Sequence, residues 1–468
     1  VRISTDMLFW LQQKRWLLIS LIMGATLYFW VPPPHGLSPE GFHILTIILM
    51  TLILILKEPV PLPAIAIQLI FWQVIIGGST PNEVGSYFMN DAVFFIMGSL
   101  MLAVAIVGQG LDKRLALGII KLTGNKTWRI VSGFTAISAI LSSFVGPHMV
   151  TAMMLPVGLT LVRFSERKRG SIKKLTAALL FSIAYGATIG SIGTPSGGGR
   201  NVIMMNYWAE FGSGTLSYID WMKLVYPMVL IEIPLTIFII LKTFPPEIHN
   251  LDRAVRRLSV EVAYAGKTTP KEYLTMGLFG LVLFSWITLS ETFGLGTIAL
   301  IGIFSYMAMG LVSWEKLSKN VNWGVILLFG ATISIGVQMK NTGGAAWLAE
   351  LSIHFLERMI PNIDTLRAVV SVALSGVMSN LLSSSATVAV VGPIVLNLGG
   401  DPIMLGLASV IASAFGYFTA VAAPACTIIY ATGFVRAGDF LKAGWKMAIM
   451  SIFSLMLIGI FWWPLLRQ

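Results

Sequence analysis

The stretch GTPSGGGRN, residues 193–201, joins a proline to three consecutive glycines and an arginine. Glycine N–H groups without side-chain cover, followed by a helix beginning near Arg200, suit an anion: amide donors and the positive helix end converge, and a guanidinium adds a full charge. Thr194, Pro195, Ser196, Gly197, Gly198, Gly199, Arg200 and Asn201 are therefore candidate substrate-binding residues. A second stretch, SSFVGPHM at 142–149, breaks an apolar run at Gly146 and Pro147 and places His148 beside the break. His148 is either a side chain able to carry a proton near neutral pH or a neutral, locally hydrogen-bonded one.

The elements that position these residues lie in hydrocarbon. Of 468 residues, 56% are hydrophobic and 11% charged, far more apolar than a soluble domain. Apolar runs near 20 residues, each able to cross roughly 30 Å as a helix, recur along the chain. No alternating β-barrel pattern is present, so helices must satisfy the backbone. The run from Trp16 to Val31, followed by Pro32-Pro33-Pro34, reads as a retained first helix. A net charge of +11 would raise the question of nucleic acid in a soluble chain. Here Lys and Arg gather in a few connections, as in loops held at the cytoplasmic face, so no nucleic-acid partner is expected. The single cysteine, Cys426, excludes an internal disulfide.

Arg2, Lys14 and Arg15 place the N-terminus inside. Crossings then follow to Lys57, to the Lys- and Arg-free segment Ser79 to Asp91, and back to Lys113, Arg114, Lys121, Lys126 and Arg129. The run 128–162 has basic residues at both ends, the far set being Arg163, Arg167, Lys168, Arg169, Lys173 and Lys174. Its two legs of about 17 residues barely span the membrane, and a re-entrant hairpin fits better than two full crossings. The run 175–208 crosses outward, and as one straight helix would be about 50 Å long, so it is expected to break at Gly193 to Gly199. Residues 224–243 return to Arg253, Arg256, Arg257, Lys267 and Lys271. Later crossings cover 273–292, 295–312 and 322–340, with Lys316 and Lys319 inside; a second hairpin covers 365–399 and a second broken crossing 402–434. Arg436, Lys442 and Lys446 precede a last helix that ends outside at Trp462 and Trp463.

The halves repeat. HMVTAMMLPVGLTL (148–161) aligns without gaps on SATVAVVGPIVLNL (385–398), matching Ala152 with Ala389 and Pro156 with Pro393. FFIMGS (94–99) lies opposite ILLFGA (326–331), and IGTPSGG opposite VAAPACT (421–427). An odd number of crossings separates the copies, so the repeat is inverted, a recurring plan of secondary transporters with a midplane site. Arg200 within the membrane needs a partner or a purpose. It binds a transported anion, snorkels to the outer surface, or pairs with Glu210. Glu232 faces a helix neighbour or a proton path, Lys340 snorkels from a helix end, and Gly186 with Gly190 gives small-residue spacing for helix packing.

TAMMLPVGL (151–159), AYGATIGSIGTP (184–195) and GFVRAGDFLKAG (433–444) together resemble the divalent anion/sodium symporter family, related to INDY, over about residues 40–466. The resemblance implies a homodimer in which a scaffold carries a mobile transport domain, and elevator-type alternation of access. It divides the chain into scaffold helices 1–4 at 1–122, a first transport half at 123–245, a cytoplasmic connection at 246–272, scaffold helices 7–9 at 273–345, and a second transport half at 346–468. The expected fold is an all-α polytopic membrane protein of about 11 transmembrane helices with two re-entrant hairpins. The family's hairpin tips carry Ser-Asn-Thr, whose place is taken here by Gly146-Pro147-His148 and Ser383-Ser384-Ser385, so both asparagines are absent. Pro-Pro-Asn of the broken helices becomes Pro195-Ser196-Gly197 and Pro424-Ala425-Cys426. Pro147, His148, Ser384, Ser385, Pro424 and Thr427 complete the substrate set; Ser142, Gly146, Gly190, Ser379 and Ser383 are the candidate cation ligands.

The function expected is secondary transport of a small anion, a di- or tricarboxylate or a sulfate-like oxyanion. Sodium, protons or exchange remain open as the coupling, and a passive anion channel is the competing class. No HExxH, GxSxG, Cys/His cluster or Walker A motif is present, and no enzyme activity or cofactor beyond sodium as coupling ion is expected. The setting is a lipid bilayer, a bacterial or archaeal inner membrane, with the N-terminus cytoplasmic and the C-terminus outside.

Overall fold

A computed structural model describes residues 5–57, 59–110, 118, 122–165, 172–214, 216–264, 268–419 and 423–466. The basic residues Arg2, Lys113, Arg114, Lys121, Arg167, Lys168, Arg169 and Lys267, on which part of the topology rests, lie outside them. The described chain is helical throughout, with one isolated β-bridge between Lys126 and Asn250. In order, the helices are α1 Thr5–Trp30, α2 Pro39–Lys57, α3 Leu62–Ile75, α4 Pro81–Phe88, α5 Asp91–Gly108, α6 Thr127–Val145, α7 Pro147–Ser165, α8 Lys173–Gly190, α9 Gly199–Glu210 and α10 Tyr218–Thr243. They continue as α11 Asp252–Tyr264, α12 Pro270–Phe293, α13 Leu295–Ala308, α14 Trp314–Asn320, α15 Trp323–Asn341, α16 Gly344–Leu356, α17 Ile363–Met378, α18 Ser384–Leu396, α19 Pro402–Ala412, α20 Pro424–Ala431 and α21 Ala437–Leu457. Among the described residues, eight helices are long and apolar enough to cross a membrane, and both arms of the first hairpin, α6 and α7, are among them.

Helix ends explain the boundaries. Ser217 caps α10 by accepting from the Asp220 N–H at 3.0 Å, and Thr269 and Glu272 form a reciprocal capping box on α12. No side chain of its own N-cap serves α13; instead the Asp91 carboxylate at the start of α5 accepts from the N–H groups of Leu295 at 3.1 Å and Gly296 at 3.0 Å. Prolines within helices free a carbonyl one turn back, and two of these are taken up by distant side chains. Pro227 leaves the Lys223 carbonyl for Trp462 Nε1 at 2.8 Å, and Pro393 leaves the Ala389 carbonyl for the Tyr207 hydroxyl at 2.9 Å.

Every residue of α8 from Leu175 to Gly190 is buried, which is why this helix is apolar all round. By contrast α12 turns Tyr273, Leu281 and Phe284 outward. The breaks fall where expected: α8 ends at Gly190 and α9 begins at Gly199, with a 3-10 turn Pro195–Gly197 between; α19 ends at Ala412 and α20 begins at Pro424. Four short helices, α4, α11, α14 and α16, stand where connections were expected. The connection 246–272 thus contains α11, which packs along α7 and carries Arg257 over the Phe164 ring at 5.5 Å.

Candidate functional site

Close packing of α6 on α8 sets the first half of the site. A Cβ at Gly186 would stand 2.6 Å from the Thr135 carbonyl oxygen, and one at Gly190 would stand 2.5 Å from the Ala139 Cα, so only glycine lets these backbones approach. Ser142 then donates to the Ala187 carbonyl at 2.6 Å, and Ser143 to the Gly190 carbonyl at 2.9 Å. Positions rise together along both helices, so α6 and α8 run parallel and the hairpin tip at Gly146 ends at the same level as the break after Gly190. Gly146 has φ +86°, which accounts for glycine at the tip.

The break itself is tied on all sides. Thr194 donates to the Ser143 carbonyl, and the hydroxyls of Thr194, Ser196 and Tyr218 form a closed set at 2.7–3.1 Å. Asn201 Nδ2 donates to the Ser191 and Thr194 carbonyls at 2.9 and 2.7 Å, and Trp221 Nε1 to the Ile192 carbonyl at 2.9 Å. The three glycines do different things. A Cβ at Gly197 would meet the Ser191 carbonyl at 2.5 Å, and one at Gly199 the Phe329 ring at 2.6 Å, whereas one at Gly198 would find only ordinary contacts at 3.7 Å and beyond. The Gly197 N–H bonds the Thr194 carbonyl at 3.1 Å. The N–H groups of Gly198, Gly199 and Arg200 find no backbone partner among the described residues, which leaves a helix start with free donors.

Arg200 sits at that start, 4% exposed. Its guanidinium donates to the Ser191 hydroxyl, while Nε has no partner and no carboxylate pairs with it among the described residues. Snorkelling and the Glu210 pair are thus not what the structure forms; Lys340, instead, reaches the Glu210 carbonyl at 2.7 Å. Asn201 Oδ1 and Ser384 Oγ are likewise buried without partners.

The second half repeats the plan. Ser371 of α17 donates to the Leu405 carbonyl of α19 at 2.9 Å, and Ser375 and Ser409 share a hydrogen bond of 2.7 Å. Asn380 at the tip donates to the Phe415 carbonyl at 3.3 Å and accepts from the Phe418 N–H at 3.1 Å, holding the second break. Ser379 bonds only back to Gly376 at 2.9 Å, and Ser383 caps α18 through the Ala386 N–H at 3.3 Å. The halves are joined by Tyr185, which donates to the Tyr417 carbonyl at 3.2 Å, by Tyr207 on Ala389, and by Trp208 Nε1 on the Pro402 carbonyl at 3.1 Å.

The structure therefore brings together Ser142, Gly146, Gly190 and Thr194 through Asn201. Ser379, Ser383, Ser384 and Ser385 lie at the second tip, from which α18 leads on to pack against α9. His148 and Thr427 are exposed, Pro147 and Pro424 half-buried, and no contact joins His148 to Arg200 among the described residues. Sequence reasoning missed Ser143, Ser191, Tyr218, Asn380 and Tyr417, whose roles depend on partners far along the chain; for Tyr207, Pro393 was the available signal. Among the described residues no group of three or more His, Cys, Asp and Glu side chains could hold a metal, so a cation here would rest on hydroxyls and carbonyls.

The family profile described as "Sodium:sulfate symporter transmembrane region" matches residues 12–468. The chain belongs to this family of divalent anion/sodium symporters. Its relatives include the sodium-dependent dicarboxylate transporter SdcS of Staphylococcus saprophyticus, 27% identical over 96% of this chain and 91% of that protein. SdcS of Staphylococcus aureus is 25% identical over the same shares. Among solved structures, Neisseria gonorrhoeae MtrF aligns with a TM-score of 0.53 at 13% identity, over 97% of this chain and 94% of that one. The Alcanivorax borkumensis YdaH transporter aligns with a TM-score of 0.52 at 14% identity, over 97% and 99%. These two likenesses concern the fold. Together, family and relatives make this symporter-family chain a secondary anion transporter of the membrane and not an enzyme.

Proposed function

We propose that this transporter moves a small dianion, a dicarboxylate or sulfate-like oxyanion, by alternating access, with sodium as coupling ion. The anion binds between the two hairpin tips against Arg200. The observation that carries this reading is Arg200 itself: a buried guanidinium at a helix start, with a free Nε and no carboxylate partner among the described residues. A dianion placed there meets the free N–H groups of Gly198 to Arg200, the positive end of α9 and the guanidinium. Ser384, with its unpartnered hydroxyl, and Ser385 complete the site from the opposite tip. Sodium would use Ser142, Ser379 and Ser383 with the carbonyls of Gly146 and Gly190.

The fold reading behind this is about eleven crossings, two re-entrant hairpins and an inverted repeat, divided as 123–245 and 346–468 for the moving halves and 1–122 and 273–345 for the scaffold. It is supported by the parallel run of α6 with α8, which sets the tip at the depth of a break inside a crossing, and by the same arrangement of α17 with α19. The elevator movement, the homodimer, the bacterial inner membrane and the inside N-terminus are parts of the same proposal. The names of the staphylococcal relatives support both dicarboxylate and sodium.

The test is uptake of labelled succinate or sulfate into proteoliposomes under a sodium gradient, with Arg200→Ala beside the wild type. Saturable, sodium-stimulated uptake is expected. Arg200→Ala should weaken anion affinity at least about tenfold, the effect of roughly 1.4 kcal/mol, while the protein still unfolds cooperatively in detergent. Full affinity in a folded Arg200→Ala protein would sink the proposed role.

A further inference from the structure

A second buried charge-bearing group lies behind the site. Glu232 is midway along α10, 1% exposed, between Pro227 and Pro234. Ser451 of α21 hydrogen-bonds its carboxyl, and Oε1 has no partner among the described residues. The Ser451 hydroxyl also shares a hydrogen bond of 3.1 Å with the Tyr417 hydroxyl. Tyr417 belongs to the second break, and Glu232 and Arg200 both act on it electrostatically, in opposite senses. Glu232, Ser451 and Tyr417 thus form a buried hydrogen-bonded line from α10 to the second break, with Arg200 within electrostatic reach of Tyr417.

Two charges on this line oppose each other once an anion arrives. An ionised Glu232 is a buried negative charge at one end of this line, with no ion pair formed to it among the described residues. A dianion bound at Arg200 adds negative charge at the other end, and a buried carboxylate with a single hydroxyl partner is then repelled. Among the described residues, the remaining groups about Glu232 offer no cation of their own. The 413–419 break brings Tyr417, α8 brings Tyr185 onto the Tyr417 carbonyl, α20 brings Cys426 beside Tyr417 and α21 brings Ser451. No ion pair reaches Glu232 from these or from α6, α12 and the C-terminal turns among the described residues.

We propose that Glu232 takes up a proton from water when the dianion binds at Arg200 and releases it when the anion leaves, so that a proton accompanies the anion through each cycle. The proposal rests on the anion site at Arg200. Glu232 touches no substrate in it; it is a positioning and charge-balancing residue acting through Tyr417. The proton moves between bulk water and a carboxylate oxygen, and no other bond changes.

The experiment measures sulfate and succinate affinity and uptake as a function of pH at fixed sodium, with the wild type, Glu232→Gln, Glu232→Asp and Arg200→Ala in proteoliposomes. Sulfate stays a dianion over this range, which separates the protein's proton from the substrate's. Wild-type affinity for sulfate should fall by up to about tenfold per pH unit above the titration of Glu232. Glu232→Gln should bind with a nearly flat profile and move one more negative charge per anion, read as current per labelled sulfate. Glu232→Asp should restore a sloped profile. A folded Glu232→Gln protein with the wild-type slope and current overturns the proposal. If Arg200→Ala instead keeps full affinity, or neither anion is bound, the anion-site reading fails.

Discussion

Tyr207 shows how single residues carry this fold. Pro393 cannot donate to Ala389, and in a membrane interior a bare carbonyl is costly. Gly336 and Gly392 leave room for the Tyr207 ring, whose hydroxyl fills the vacancy at 2.9 Å. Tyr207→Phe should therefore lower stability by about 1–3 kcal/mol, measured as thermal unfolding in detergent, with little effect on substrate affinity. The proline was legible in the sequence as half of a matched pair with Pro156, but the tyrosine that bonds the freed Ala389 carbonyl stands 182 residues from it and nothing local announces it. The same holds for the site. Arg200 was legible because a charge inside an apolar run has to be explained; Ser191, which holds it, looked like any other small residue of a buried helix. Asn380 is instructive too, since the asparagines of the family pattern are missing at the aligned tip positions while Asn380, four residues before the aligned Ser384, holds the second break by its side chain.

At the level of elements, hairpins and breaks were legible because Gly and Pro interrupt runs whose length must match a bilayer. Four short helices were not: α4, α11, α14 and α16 are too short or too polar to stand out against connections, and neither length nor hydropathy marks them. The packing of α6 on α8 separates the roles of the glycines. Gly186→Ala should cost about 1–3 kcal/mol, since a methyl against the Thr135 carbonyl must push two backbones apart. Gly197→Ala and Gly199→Ala should abolish uptake by displacing the break from Ser143 or from Phe329, whereas Gly198→Ala should leave expression and folding unchanged. Equal damage at all three positions, by size-exclusion profile and uptake, would mean that conformational freedom and not close approach selects the glycines.

For the molecule as a whole, orientation is the testable quantity. Cys426 is buried, so the unmodified protein should resist an impermeant maleimide, and Cys426→Ala provides a background for single cysteines. Leu465→Cys should be labelled from outside and Glu315→Cys only after permeabilisation; the reverse pattern would invert the topology drawn from the basic residues. The charge bias draws that topology from the sequence, whereas the joining of the halves leaves no such mark, because it runs through the side chains of Tyr185, Tyr207 and Trp208 to carbonyls 232, 182 and 194 residues further on. Those spacings have a consequence for biogenesis. The first half leaves the ribosome with its central polar groups aimed at partners not yet made, and it stays in that state until the last third of the chain is inserted. Fragments divided between 245 and 251, just before α11, should each be cleared when expressed alone and accumulate when made together.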